Sequence, residues 1–206
     1  MTISVKDAIK QRHSVRSYLD TPLNDSDIME ILDAGRNAPS SLNSQPWRFK
    51  VVTDKTTIEW LSTKKVSRNQ SWIGKAPAVI VCCVDLDGYI KDSQASAFFF
   101  RENNIMEEEP MQGIEEYVAK AESEPDSDKF GASVMNLSIA MSFMMLRATE
   151  LGLGSCWVGM FNPDLIKEHL NMSDKLRIAA LLVIGKPDES GTIPRNRKTI
   201  DDILIK

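Results

Sequence analysis

Arg12, Ser14 and Arg16 are the residues whose types and spacing point most directly to chemistry. Each stands two positions from the next, so an extended chain turns all three side chains to one side. Two guanidinium groups around a hydroxyl make a set of charge-assisted donors suited to a phosphate. Arg195 and Arg197 repeat the spacing near the other end of the chain, which favours the phosphate reading over that of a solvated surface patch. A second block, Pro39-Ser40-Ser41-Leu42-Asn43-Ser44-Gln45-Pro46-Trp47, is rich in hydroxyls and amides between two prolines. Ser, Asn and Pro also serve turns and helix ends, but Ser40, Ser41, Asn43, Ser44 and Gln45 offer more donors and acceptors than one turn consumes. The two blocks together predict a ligand with an anionic end and a polar, flat or hydroxylated body.

No self-sufficient catalytic device accompanies them, and no catalytic side chain is expected. Ser, His and Asp do not form a triad pattern, and His13 is better suited to a cap or a ligand contact than to a lone general base. Gly152-x-Gly154 is followed by Trp157 where a dinucleotide fingerprint needs glycine, and Gly185-Lys186 lacks the rest of a phosphate loop. The two histidines, His13 and His169, have no zinc-ligand spacing, so no metal site is expected. Cys82 and Cys83 read as inert thiols in a buried strand, and with Cys156 they leave an odd count without C-x-x-C spacing. Any chemistry is borrowed from what the two blocks hold.

The elements that must position these blocks follow from periodicity and punctuation. Ser4–Gln11 reads as a short helix capped by Ser4, with Val5, Ala8 and Ile9 on one face. A second helix is expected over Asp25–Asn37, capped by Asn24, with Ile28, Ile31, Leu32 and Gly35 inward. A strand begins at Phe49 and a helix covers Thr56–Lys65. Ala78–Val84 is a near-continuous apolar run, as in a strand covered on both faces. From Tyr89 to Asp128 the pattern degrades into helical fragments. Lys129–Leu151 is the strongest helix, apolar nearly all round, which predicts burial in a core or against a partner subunit. Ser155–Gly159 reads as extended, Asn162-Pro163 opens a helix through Leu170, and Arg177–Gly185 is a second apolar strand. Helices around a few strands without βαβ alternation indicate an α+β fold.

The bulk numbers bound the function. At 206 residues, the chain fits a single domain spanning 1–206. Its opening residues show no basic region followed by an apolar run, and its apolar stretches are shorter than a bilayer span needs, so a cytoplasmic protein is expected. Of the net charge of −4, ten acidic against two basic residues fall between Arg101 and Asp128, leaving the rest mildly basic. That body suits a small anion, and it lacks the dense basic stripe with aromatics that nucleic acid requires.

Four segments in order resemble the FMN-dependent nitroreductase family: Arg12-His13-Ser14-Val15-Arg16-Ser17-Tyr18, Ala38 through Trp47, Gly152-Leu153-Gly154-Ser155-Cys156-Trp157-Val158-Gly159, and Ile184-Gly185-Lys186-Pro187. The resemblance implies an α+β fold with a central mixed sheet flanked by helices, and an intertwined homodimer with FMN at two shared interfaces. It implies that Arg12, Ser14, Arg16, Arg195 and Arg197 hold the phosphate with His13 nearby. Pro39, Ser40, Ser41 and Asn43 would reach the flavin of the opposite subunit, with Gln45 from the same loop. Asn69 would meet the pyrimidine edge, and Trp157, Val158, Gly159 and Met160 would lie along the ring. The implied activity is ping-pong transfer of hydride from NADH or NADPH through flavin N5 to nitroaromatics, quinones or similar electrophiles. A specialised reductase such as a dehalogenase, or a non-catalytic FMN-binding module, are the alternatives. The acidic excursion at about 92–128 is expected to cover the active site and set substrate choice.

Overall fold

The computed structural model describes residues 3–188 and 196–205. Its centre is a sheet of β1 (Trp47–Val52), β2 (Ala78–Asp85), β3 (Gly154–Val158) and β4 (Leu176–Gly185), in spatial order β1-β2-β4-β3. All neighbouring strands pair antiparallel. This corrects the mixed sheet implied by the family resemblance: among the described residues, parallel pairing is confined to an isolated bridge between Ser14 and Ser155. The α+β class stands.

The two central strands are apolar throughout because both faces are covered. Val79, Val81, Cys83, Leu181 and Val183 face a cluster with Ile58, Leu61 and Ile166. Their alternating neighbours Ile80, Cys82, Val84, Ala180, Leu182 and Ile184 face Leu137, Ala140, Met141 and Met144. The period-two alternation thus divides the core into two layers with the sheet between them. The cysteines belong to these layers, and burial pushes the Cys83 thiol up to about 12 and the Cys82 thiol well above its ordinary value.

Around the sheet run α1 (Val5–Gln11), α2 (Asp25–Arg36), α3 (Lys55–Leu61), α4 (Lys64–Ser67), α5 (Leu86–Glu102), α6 (Glu108–Ser123), α7 (Asp126–Glu150) and α8 (Pro163–His169). Ser4 caps α1 through the Asp7 amide as expected, yet only Ala8 of its apolar face is buried. Asn24 precedes α2 but makes no side-chain cap bond, donating instead to Asp27. The single helix expected over Thr56–Lys65 is broken into α3 and α4. At the break Ser62 and Thr63 donate their hydroxyls to the carbonyls of Glu59 and Trp60 at 2.7 and 2.8 Å, the local bonding by which such residues compete with a continuing helix.

The expected fragments over 89–128 are instead two full helices, α5 and α6, packed as a hairpin. Tyr89, Ile90 and Ala121 form one small core between them, and Ala97, Met111 and Val118 form another. Arg101 ties the hairpin by bonding both Glu108 and Glu115, at 3.1 and 2.6 Å. The hairpin is followed by α7, which crosses the sheet with Leu137, Ala140, Met141, Met144 and Ala148 buried. Contrary to the expectation from its apolar stretches, α7 is long and apolar enough to cross a membrane by length and composition. Its inner face is the floor of the core, while Met135, Ile139 and Phe143 stay 67%, 36% and 40% exposed on its other side.

Candidate functional site

The segment after α1 is laid along the free edge of β3. Val15 N–H donates to the Ser155 carbonyl at 3.0 Å, and the Tyr18 hydroxyl donates to the Val15 carbonyl at 2.7 Å. This approach is possible because position 154 is glycine: a Cβ there would lie 2.6–2.9 Å from three atoms of the Val15 side chain. Along this extended segment Val15 is buried while Ser14 and Arg16 are exposed, and the Ser14 side chain reaches that of Cys156. Burial raises the thiol's pKa, and Arg16, a hydrogen bond with the Ser14 side chain, and Arg12 pull it back down. The alternation read from the sequence therefore holds in space.

On the side of the segment that Val15 and Ser155 face, a cavity of about 140 Å³ is lined by Gln11, Arg12, His13, Val15, Ser155 and Pro187. His13 Nδ1 lies 2.9 Å from the Gln11 carbonyl oxygen. Ser155 is 2% exposed and its hydroxyl has no partner. Burying a hydroxyl without a partner is costly, and the hydroxyls of Ser44, Ser67, Ser93 and Ser133 are buried in the same way.

A second loop closes on the end of β3. Gln70 donates its side-chain amide to the Met160 carbonyl at 2.8 Å, and Asn162 N–H donates to Val66 at 2.7 Å. These bonds bring Asn69 close to Val158, Gly159 and Met160 along the chain's path. The backbone at Gly159 is open, since a Cβ there would meet nothing within 4 Å, and Met160 is exposed. Trp157 is half-buried against the α7 layer, so packing accounts for its ring.

The Pro39–Pro46 block sits elsewhere, over α7 and α5. Asn136 of α7 accepts the Ser41 N–H at 2.8 Å, and Ser40 Oγ accepts the Gln45 N–H at 3.0 Å. Gln45 in turn donates to the Asn43 side chain at 3.1 Å. Between this loop and α5 lies a cleft of about 420 Å³ lined by Asn43, Gln45, Trp47, Arg48, Asp92 and Ser96. Leu42, Asn43 and Gln45 have φ of 48°, 50° and 40°, and in the other loop Arg68 and Asn69 have 50° and 71°. Left-handed backbone on non-glycine residues costs about 1–3 kcal/mol each and persists where surrounding structure enforces it, characteristically at functional sites. Both strained loops carry residues singled out from the sequence.

Among the described residues the two blocks are not brought together. No described hydrogen bond, ion pair or cavity joins Arg12–Arg16 to Pro39–Gln45. Arg197 lies in an exposed tail and, among the described residues, donates to the neighbouring Asn196 carbonyl, while Arg195 lies outside the described residues. Sequence reasoning missed Asn136, Gln70 and the close approach at Gly154. A lone amide inside an apolar helix could have marked Asn136, whereas the other two act through contacts that only the fold creates. Among the described residues no cluster of His, Cys, Asp and Glu could hold a metal.

The sequence model of the Nitroreductase family matches residues 9–186. A protein of Thermus thermophilus named NADH dehydrogenase is 28% identical over 205 residues, covering 98% of this chain and 96% of that one. A Bacillus subtilis protein named FMN reductase (NAD(P)H) is 27% identical over 191 residues, with 91% and 68% covered. A protein of Exiguobacterium sibiricum solved in complex with FMN superposes with a TM-score of 0.79 at 25% identity, covering all of both chains. With a family match over most of its length, the chain belongs to the nitroreductase family.

Proposed function

We propose that this chain is a cytoplasmic FMN-dependent NAD(P)H oxidoreductase of small electrophilic acceptors such as nitroaromatics and quinones. It acts as one domain over 1–206, in a homodimer whose subunits share each flavin site. The observation that carries this reading is that the residues suited to a phosphate and the strained polar loop stand apart among the described residues of one chain. A second copy supplies the missing half of each.

The donor set fits the group. Arg12, Ser14 and Arg16 offer positive charge and an O–H donor to a phosphate, with His13 nearby and Arg195 and Arg197 arriving from the tail. Asn69 and the open backbone at Gly159 suit the edge of a flat ring, and Pro39, Ser40, Ser41, Asn43 and Gln45 suit the polyol and ring from the partner side. Bound FMN supplies hydride acceptance at N5 and onward electron transfer, which is why the chain needs no proton-transferring side chain of its own. The protein's share is to hold the cofactor, aim donors at its charge-bearing edge and shape access to it. The α5–α6 hairpin, packed beside the Ser41–Asn43 turn, restricts access over the loop and so selects the acceptor.

Exposed apolar side chains support the dimer: Val5, Ile9, Met29, Met135 and Phe143, with Ile200, Ile203 and Ile205 in the tail, offer surface that a second copy would cover.

Anaerobic mixing of the purified yellow protein with NADH and with NADPH, followed by reoxidation with a panel of acceptors, tests the proposal. Bleaching of the flavin by at least one nicotinamide and its return with a nitroaromatic or quinone is expected. A flavin that neither nicotinamide bleaches would reduce the protein to an FMN-binding module, and a colourless protein without affinity for FMN would end the reading.

A further inference from the structure

We infer that Trp72 positions Arg16 for the bound flavin mononucleotide by holding the guanidinium against its indole face, an assignment that rests on the FMN reading above. The Arg16 guanidinium carbon stands 5.8 Å from the centre of the Trp72 ring. This is within the range of a cation–π contact, and tryptophan is the strongest aromatic partner. Arg16 makes no hydrogen bond and no ion pair among the described residues.

That isolation is informative. Several other exposed arginines are fixed by carboxylates: Arg48 by Asp85, Arg101 by Glu108 and Glu115, Arg36 by Asp33. A carboxylate orients a guanidinium by occupying its N–H donors and cancelling its charge. An aromatic face orients it while leaving all five donors and the full charge for a ligand. Arg16 therefore has the partner that a ligand-binding arginine needs.

Trp72 is itself well anchored. Its neighbour Ile73 is fully buried, and its ring packs against the same core layer. Its ring centre lies 6.5 Å from that of Tyr18, tilted by 32°, and the Tyr18 hydroxyl is bonded back to the Val15 carbonyl. Arg16 thus leaves a backbone pinned on both sides, at Val15 and Tyr18, and meets a ring fixed by the same pins. Gln70, two residues before Trp72, carries the bond to Met160, so the segment that aims Arg16 also borders the ring end of the site.

A double-mutant cycle on FMN affinity tests the inference, with dissociation constants of the intact chain measured by equilibrium dialysis. Arg16→Gln should weaken FMN at least about tenfold, as loss of a hydrogen bond from a charged group does. Trp72→Leu and Trp72→Met should each weaken it about fivefold, while Trp72→Phe, which keeps a π face, should stay within about twofold of wild type. In the Arg16→Gln background none of the Trp72 substitutions should cost anything further. Equal losses from Trp72→Met in both backgrounds would assign Trp72 to packing alone and overturn the inference. Retained affinity in Trp72→Leu and Trp72→Met would do the same while leaving the flavin reading intact. If the wild-type chain itself does not bind FMN, the functional reading falls and this one with it.

Discussion

Replacing Gly154 by alanine perturbs the contact on which the placement of Ser14 and Arg16 depends. The added Cβ would lie 2.6 Å from one Val15 methyl carbon, 2.9 Å from the other and 2.9 Å from the Val15 Cβ. None of these is the end of a flexible chain, because a β-branched side chain has little freedom to turn away. The Arg12–Tyr18 segment must therefore lift off β3, or β3 must shift. Overpacking of this kind costs about 1–3 kcal/mol. Loss of the Val15–Ser155 hydrogen bond adds about 1 kcal/mol. A combined loss of about 2–4 kcal/mol lowers the midpoint of thermal unfolding by roughly 4–16 °C for a chain of this size. Because Ser14 and Arg16 ride on the displaced segment, binding FMN must move it back against the clash, so FMN affinity should fall as well, by tenfold or more if that costs about 1.4 kcal/mol. Val15→Ala removes two of the three clashing atoms, so the double variant should lose less than the sum of the single losses, a coupling of about 1 kcal/mol or more. Thermal melts and flavin titrations of the two single variants and the double variant read this directly. A Gly154→Ala protein with wild-type melting and wild-type FMN affinity would refute the argument that close approach to β3 places these residues.

Three further outcomes follow from other contacts. Asn136→Ala removes the acceptor of the Ser41 N–H, which should cost about 1–1.5 kcal/mol in unfolding free energy; it should also weaken FMN, because Leu42, Asn43 and Gln45 lose the restraint holding their left-handed backbone, and unchanged affinity in titration would contradict this. Cys82, Cys83 and Cys156 are at most 1% exposed and their thiols are held protonated by burial, so the native protein at pH 7 should react with a thiol reagent only as fast as it unfolds. Arg101 holds the Glu108 and Glu115 carboxyls below their ordinary range; the stabilisation is present above the ordinary glutamate value and lost as pH falls through the lowered values, so the protection factors of α5–α6 amides, corrected for the intrinsic pH dependence of exchange, should drop there, and Arg101→Ala should remove that drop.

What could be read from the residues was whatever local chemistry alone decides. Ser4 before Asp7 caps a helix wherever the chain goes, and an unbroken run such as Ala78–Val84 has little choice but a strand covered on both faces. The i, i+2 spacing of Arg12, Ser14 and Arg16 foretold a shared side because extended backbone alternates by geometry. The hairpin of α5 and α6 was opaque for the opposite reason. Its two small cores each draw residues from both helices, so neither helix carries a full apolar stripe, and the acids that crowd α6 are its exposed face. Gly154 looked like punctuation after a long helix, but its function is to admit Val15, a residue 139 positions away. Trp72 and Asn136 likewise have roles only once folding brings Arg16 and Ser41 to them.

The central claim is that each flavin site draws one half from each subunit, and subunit complementation tests it most directly. One chain carries Arg12→Gln with Arg16→Gln, and the other carries Ser41→Ala with Asn43→Ala, each weakening FMN retention in its own homodimer. Co-expressed and purified as the mixed dimer, the shared-site account predicts one site bearing both defects and one site entirely wild type. Flavin content should then return to about one FMN per two chains, bound with wild-type affinity. If each site were built within a single chain, both sites of the mixed dimer would stay defective, and the absence of any tight-binding FMN would contradict the account.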